Sequence, residues 1–265
     1  MMAMGIRVVE PSPKPDGGKP NASDRLGATR RYYDAFAARY EARRGGNVPG
    51  GYHDMLDDLE IDFLRPFGRG GEVLEVGCGT GLLLERIAGF ASRAVGIDLS
   101  PGMLEHARAR GLDVAEGSAT DLPFDAESFD VACSFKVLAH VEDLDRALSE
   151  MLRVVRPGGV VVAELYNRRS LRALVKRFGP AGAVADRLDE SAVYTRFDDP
   201  AEVVARLPAG AHLEAERGVR IVTPAAKALE LPVIGPVLRF AEERLADRFA
   251  RLGGFWIAAI RKTAR

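Results

Sequence analysis

Apolar positions along the chain fall into two periods that alternate in a regular order. From Thr29 to about Arg43, Tyr32, Tyr33, Phe36, Ala37 and Tyr40 recur at helical spacing, and Gly45, Gly46, Pro49, Gly50 and Gly51 break the run. A second helical run, His53 to Arg65, gathers Met55, Leu56, Leu59, Phe63 and Leu64 on one face and is expected to stop at Pro66. Short apolar strands then alternate with helices. Strands are predicted at Glu72–Val76, Ala94–Asp98, Asp113–Glu116, Phe129–Ser134 and Val160–Leu165, with helices from Gly81, over Pro101–Arg110 and over Leu144–Val155. Ser100 before Pro101 is a helix start and Gly111 a helix stop. Beyond Tyr166 the pattern predicts a helix over about Ser170–Phe178, a loop, a helix over Pro200–Leu207, and a strand over about Leu213–Val222. A long helical insertion and a last strand, Phe255–Ile260, complete it. Such alternation is the signature of an α/β fold: a doubly wound, mostly parallel seven-stranded sheet with an N-terminal helical cover and a helical insertion before the last strand.

Composition refines this picture at its edges. Residues 1–25 carry Pro11, Pro13, Pro15, Gly17, Gly18 and Pro20 with few large apolar side chains, and are expected to be a disordered leader. One domain is expected to follow over 26–265: a cover (26–68), a ligand-binding core (69–168) and a substrate-side part (169–265) whose insertion occupies about 224–253. The 37 basic and 38 acidic side chains nearly cancel, and no basic stretch with interleaved aromatics marks a nucleic-acid binder. Cys78 and Cys133 lie far apart with no Cys/His cluster, so neither a disulfide framework nor a zinc or other metal site is expected. No apolar run approaches the roughly 18 residues needed to span a bilayer, and a cytoplasmic location is the expectation.

The chemistry concentrates at Glu75-Val76-Gly77-Cys78-Gly79-Thr80-Gly81. A strand running into spaced glycines and then a helix lets a ligand approach bare backbone. Asp98 ends the next strand about 20 residues on, where a carboxylate can hold two ribose hydroxyls. A dinucleotide turn would place its third glycine at Leu82, whereas here it is Gly81, which disfavours a nicotinamide-dependent dehydrogenase. Glu75 would repel a pyrophosphate but suits S-adenosylmethionine, which carries a sulfonium and an ammonium.

Val73 to Gly81 resembles, nearly letter for letter, the first motif of class I, Rossmann-like S-adenosylmethionine methyltransferases of the small-molecule type. Three further segments are similar to that family in the same order: Gly96 to Leu104, Gly117 to Phe124 followed by Ser128-Phe129-Asp130, and Arg153 to Gly159. The resemblance covers about Tyr32 to Leu165. It implies that Gly77, Cys78, Gly79 and Gly81 line the methionine and ribose, that Glu75 helps hold the methionine amino group, and that Asp98 binds the ribose. Leu99 and Met103 would flank adenine, and Phe135 would border the cofactor. Tyr33 and Tyr40 resemble aromatics that fold over the cofactor. Where the family often carries an acidic residue for the adenine amine, this chain has Ser118, so the adenine contacts fall to Ser118, Ala119 and Thr120.

Methyl transfer is an in-line displacement that needs alignment and exclusion of water rather than a metal. The acceptor is expected near the ends of the fourth and fifth strands, where His140 is a candidate general base, and Lys136, Tyr166, Tyr194 and Arg196 are candidate substrate contacts. Simple packing competes with these roles for His140, as it does for the aromatics of the cover. Ser134-Phe135-Lys136-Val137 does not resemble the Asn/Asp-Pro-Pro-aromatic tetrad of enzymes that methylate base amines. The expectation is therefore transfer to an oxygen, nitrogen or carbon of a small, apolar-leaning molecule; the alternative is a non-catalytic cofactor-binding or protein-interaction module. The insertion, with an apolar stripe including Val233, Val237 and Leu238 and a charged face including Glu242, is a candidate sheet cover, acceptor cover or homodimer interface.

Overall fold

The computed structural model describes residues 22–44, 50–170, 194–223 and 226–264. Seven strands lie in one sheet in the order β3-β2-β1-β4-β5-β7-β6. They are β1 (Glu72–Val76), β2 (Arg93–Asp98), β3 (Asp113–Glu116), β4 (Phe129–Ser134), β5 (Val155–Tyr166), β6 (Ala211–Val219) and β7 (Phe255–Lys262). Strands β1 to β5 pair in parallel, while β7 runs antiparallel between β5 and β6. The order reverses between β1 and β4, which opens a crevice beyond their carboxyl ends, the place where open parallel sheets bind ligands.

Side-chain alternation along β5 divides the core. Val161, Ala163 and Leu165 join the cluster beneath α5 (Leu144–Val154) and α6 (Pro200–Ala205), whereas Val160 and Val162 join the cluster beneath α2 (Tyr52–Gly68). Glu164 shares the α2 face and is buried there. Helices α3 (Leu82–Ala88) and α4 (Pro101–Ala109) complete the β1–β3 half, and Ser100 caps α4 by accepting the Met103 N–H.

Several boundaries differ from the periodicity. The cover helix α1 runs Ala22–Arg43, beginning inside the stretch expected to be a leader. Arg25 is anchored there by two hydrogen bonds to the Glu142 carboxylate, a partner 117 residues away that local composition cannot reveal. Helix α2 continues through Pro66 to Gly68. Pro66 and Asp62, whose carbonyl loses its donor, both face solvent, and Phe67 packs on Phe63 at 5.8 Å, so the last turn survives. Strand β5 begins at Val155 rather than Val160, because Val155 pairs with Phe129 before an irregularity in the register. The helix expected over about Ser170–Phe178 lies, beyond Ser170, outside the described residues, as does the leader through residue 21.

The insertion breaks into a short 3-10 turn (Ala226–Glu230), α7 (Ile234–Leu245) and a second 3-10 turn (Ala250–Leu252). Its polarity departs from the expected stripe. Glu242, assigned from sequence to the charged outer face, is fully buried and accepts the backbone N–H groups of Ile221, Val222 and Thr223 at 2.9, 2.8 and 2.7 Å. Val233, Ile234, Val237 and Phe240 face outward, with Val233 77% exposed. Three orphaned donors at the end of β6 need an acceptor more than the sheet needs another apolar contact, and that decides which face turns in.

Candidate functional site

The strand-to-helix turn after β1 has the geometry of a ligand cradle. Gly77 sits at φ +80°, and a Cβ there would lie 2.3 Å from Val137 Cγ2. At Gly79, φ +54°, a Cβ would meet nothing within 4 Å and would project into the open crevice. Asp98, at the end of β2, ties the turn down by accepting the Gly79 N–H at 2.8 Å and the Ser100 N–H at 2.9 Å. Burial raises its carboxyl above the usual range, and those N–H groups oppose the rise. Glu75, next to last in β1, is 2% exposed and its Oε2 has no hydrogen-bond partner. Burial, with Glu60, holds its carboxyl well above the normal carboxylate range.

These groups open into a cavity of about 670 Å³, within the size range of small-molecule sites. Helix α1 forms one wall with Tyr32, Tyr33, Phe36 and Tyr40, packed edge to face or stacked at 5.3 to 5.8 Å along the helix. It is latched to the core: Asp34 accepts the Ser100 hydroxyl at 2.6 Å and the Gly102 N–H at 3.0 Å, and Arg110 reaches Glu41 at 2.7 Å. Burial pushes the Tyr33 phenol upward, so it stays a neutral donor. Leu99, Met103, Ser118, Ala119 and Thr120 line another part of the cavity, with the Ser118 and Thr120 hydroxyls 2.9 Å apart.

His140 lines the opposite wall, 6.4 Å from the Tyr33 ring and 5.9 Å from that of Tyr166. Its Nδ1 lies 2.9 Å from the Tyr194 carbonyl oxygen. A carbonyl only accepts, so that bond places the proton on Nδ1 and makes Nε2 the acceptor nitrogen of the neutral ring.

A buried charge network floors the cavity beside Phe135. Arg44 holds both Asp57 oxygens at 2.8 Å, and Lys136 Nζ donates to Asp57 at 2.9 Å and Glu60 at 2.8 Å. Glu60 lies against Glu164, and the two carboxyls face each other within the buried network. Burial raises both carboxyls, consistent with one proton shared between them.

The structure thus gathers Tyr33, Tyr40, Glu75, Gly77, Cys78, Gly79, Asp98, Leu99, Met103, Ser118, Ala119, Thr120, Phe135, Lys136, His140, Tyr166 and Tyr194 around one cavity. Two expected residues are placed elsewhere. Gly81 does not line it; a Cβ there would lie 2.4 Å from Leu112 Cδ1, so this glycine serves packing between α3 and α4. Arg196 points its guanidinium at the Asp198 carboxylate, 2.7 Å away, and at the Glu142 carbonyl. Lys136 borders the cavity but spends its charge on Asp57 and Glu60. Sequence reasoning missed Arg44, Asp57 and Glu60. Glu60 fell four residues after Leu56 on the apolar stripe of α2, an anomaly that could have flagged it.

The fold and the site together define a Rossmann-like binder of an adenosine-bearing cationic cofactor. Residues 74–163 match the family model of a methyltransferase domain. A ubiquinone biosynthesis O-methyltransferase of Azorhizobium caulinodans is 31% identical over 200 residues, 73% of this chain and 68% of that protein. A probable S-adenosylmethionine-dependent methyltransferase of Mycolicibacterium smegmatis is 40% identical over 101 residues, 37% of this chain. The match spans 39% of that relative's length. A solved SAM-dependent methyltransferase of Thermotoga maritima, a possible histamine N-methyltransferase, superposes with TM-score 0.62 at 23% identity, covering 88% of this chain and 99% of that one, which supports the fold. The chain belongs to the S-adenosylmethionine-dependent methyltransferases. No described helix is long and apolar enough to cross a membrane.

Proposed function

We propose that the protein methylates a small, largely apolar aromatic molecule, with a phenolic oxygen as the preferred nucleophile. The observation that carries this reading is the single cavity in which the glycine turn and Glu75 meet a ring of aromatic side chains and His140. The O-methyltransferase relative from Azorhizobium supports oxygen as the acceptor atom. S-adenosylmethionine supplies a methyl group already activated by its sulfonium. Glu75 suits its ammonium, Gly77 and Gly79 give its methionine part room, and Asp98 suits its ribose.

The remaining groups align and deprotonate the acceptor. Tyr33, Phe36, Tyr40 and Phe135 hold a flat ring and exclude water. A phenol resembling tyrosine ionises near pH 10, so at neutral pH its attack needs proton removal. His140 Nε2, fixed as acceptor by the Tyr194 carbonyl, takes that proton.

Two measurements test the reading. Calorimetry is expected to show binding of S-adenosylmethionine and S-adenosylhomocysteine; absence of both ends the proposal. Incubation with methyl-labelled cofactor and a panel of catechols, hydroquinones and arylamines is expected to label the oxygen acceptors. His140→Ala should lower kcat by about 10²- to 10⁴-fold at neutral pH. The deficit should shrink as the medium itself ionises the phenol.

A further inference from the structure

His53 stands in the first turn of α2 and takes no part in the reaction described above. It lines the cavity at the end where Arg44 and Lys136 lie, with its ring 5.2 Å from that of Tyr52. Its Nδ1 is sealed inside the protein and has no hydrogen-bond partner. Charged groups bear on the ring from each neighbouring element: Arg44 from the turn after α1, Asp57 from α2 itself, Lys136 from the turn after β4 and Arg220 from the turn after β6. Burial and the three cations outweigh Asp57 and lower its pKa to about 4, so the imidazole is neutral at physiological pH.

A neutral imidazole carries one N–H. On the sealed Nδ1 that hydrogen would be a buried donor without an acceptor, costing about 1–3 kcal/mol. Orphaned buried N–H groups are rarer than under-satisfied acceptors. The hydrogen therefore belongs on Nε2, and the side chain reaches the cavity as a fixed, uncharged donor.

We propose that His53 is an acceptor-binding residue whose Nε2–H donates a hydrogen bond to an oxygen of the methyl acceptor, selecting rings that carry a second oxygen. This rests on the methyl-transfer reading of the cavity. The placement favours the acceptor over the cofactor. Lys136 and Arg220 reach the ring from the turns after β4 and β6, on the other side of β1 from the β2 end that carries Asp98. His140 and His53 thereby divide the work: one receives the proton of the nucleophile, and the other holds a distant oxygen.

The test uses the full chain labelled with 15N in its four histidines and saturated with S-adenosylhomocysteine. Long-range proton–nitrogen correlation is expected to show His53 as the Nε2–H tautomer from pH 5 upward. Catechol, 4-methylcatechol and 2-methoxyhydroquinone should shift that nitrogen, while toluene should not. In His53→Gln the amide nitrogen can reach the place of Nε2, and probe affinity should stay within about threefold. In His53→Asn the amide reaches only the sealed position, and in His53→Leu the donor is gone. In both, probe affinity should fall and KM should rise by about tenfold or more, with kcat and S-adenosylhomocysteine affinity unchanged. An Nδ1–H tautomer, or equal probe affinity in His53→Leu, overturns the proposal. Loss of S-adenosylhomocysteine affinity in His53→Leu with rescue in His53→Gln would give the hydrogen bond to the cofactor carboxylate and also overturn it. If no probe binds while S-adenosylhomocysteine does, the phenolic class and this assignment both fall. If methyl transfer occurs and only His53 proves indifferent, the broader reading stands without it.

Discussion

Cofactor binding should expel a proton from Glu75. In the free protein this carboxyl is buried, its Oε2 is unpartnered, and Glu60, Asp57 and Asp98 add to the burial that raises its pKa, with Lys136 opposing. Its carboxyl therefore keeps its proton to higher pH than an ordinary glutamate until ligand arrives. An ammonium placed against it favours the carboxylate, so the proton leaves as the ligand enters. One proton released per ligand makes affinity climb by up to about tenfold per pH unit, roughly 1.4 kcal/mol, below the pKa of the free protein's Glu75. The climb must end before the ligand's own α-amino group deprotonates near pH 8. Glu75→Gln removes both the charge-assisted bond, worth about 1.5–3 kcal/mol, and the titrating group. Affinity should fall about 10- to 100-fold at pH 7.5, and the pH slope should flatten. Calorimetry in phosphate and in Tris, whose ionisation heats differ, counts the proton directly. A count of zero in the native protein, or an unchanged slope in Glu75→Gln, would refute the reasoning. The same linkage governs stability. A carboxyl with a raised folded-state pKa stabilises fully below its unfolded pKa, and that contribution is lost as pH rises through the folded value. The Tm of the free protein should thus decline as pH rises above the ordinary glutamate range, with Glu164 adding to the decline, and cofactor should cancel the part owed to Glu75.

Three other outcomes follow from the geometry. Asp98→Asn should weaken S-adenosylhomocysteine binding about 10- to 100-fold in calorimetry, since the amide keeps one acceptor oxygen but no charge for the ribose hydroxyls. Gly77→Ala combines a positive φ with a Cβ driven into Val137, and should cost about 2–5 kcal/mol in urea unfolding. Adding Val137→Ala should restore the packing share alone. Glu242→Gln turns an acceptor of three backbone N–H groups into a partial donor and should lower stability by about 1.5–3 kcal/mol, read as a shift in the urea midpoint.

The cofactor half of this protein is legible in its sequence because its constraints are local. Gly77 and Gly79 are required by the turn they occupy, Asp98 by the strand end it occupies, and Ser100-Pro101 by the helix they start. The opposite side of the cavity is not legible, because its residues are defined by partners distant in the chain. Arg44 is fixed by Asp57, Lys136 by Glu60 across 76 residues, and His140 by the Tyr194 carbonyl across 54. Arg196 looked available for substrate only because Asp198 and the Glu142 carbonyl could not be seen to claim it. In α7 the periodicity found the helix but not its orientation, since a hydrophobic stripe carries no information about the three N–H groups that Glu242 satisfies.

That inverted helix has an evolutionary consequence. Because α7 is moored to the sheet by a carboxylate rather than by its outer apolar residues, the surface formed by Val233, Val237 and Phe240 is decoupled from folding. Substitutions there, such as Phe240→Ser, should leave stability within about 0.5 kcal/mol. The insertion's outer face can therefore drift, or be redrawn by an engineer, while Glu242 keeps the helix moored to the end of β6.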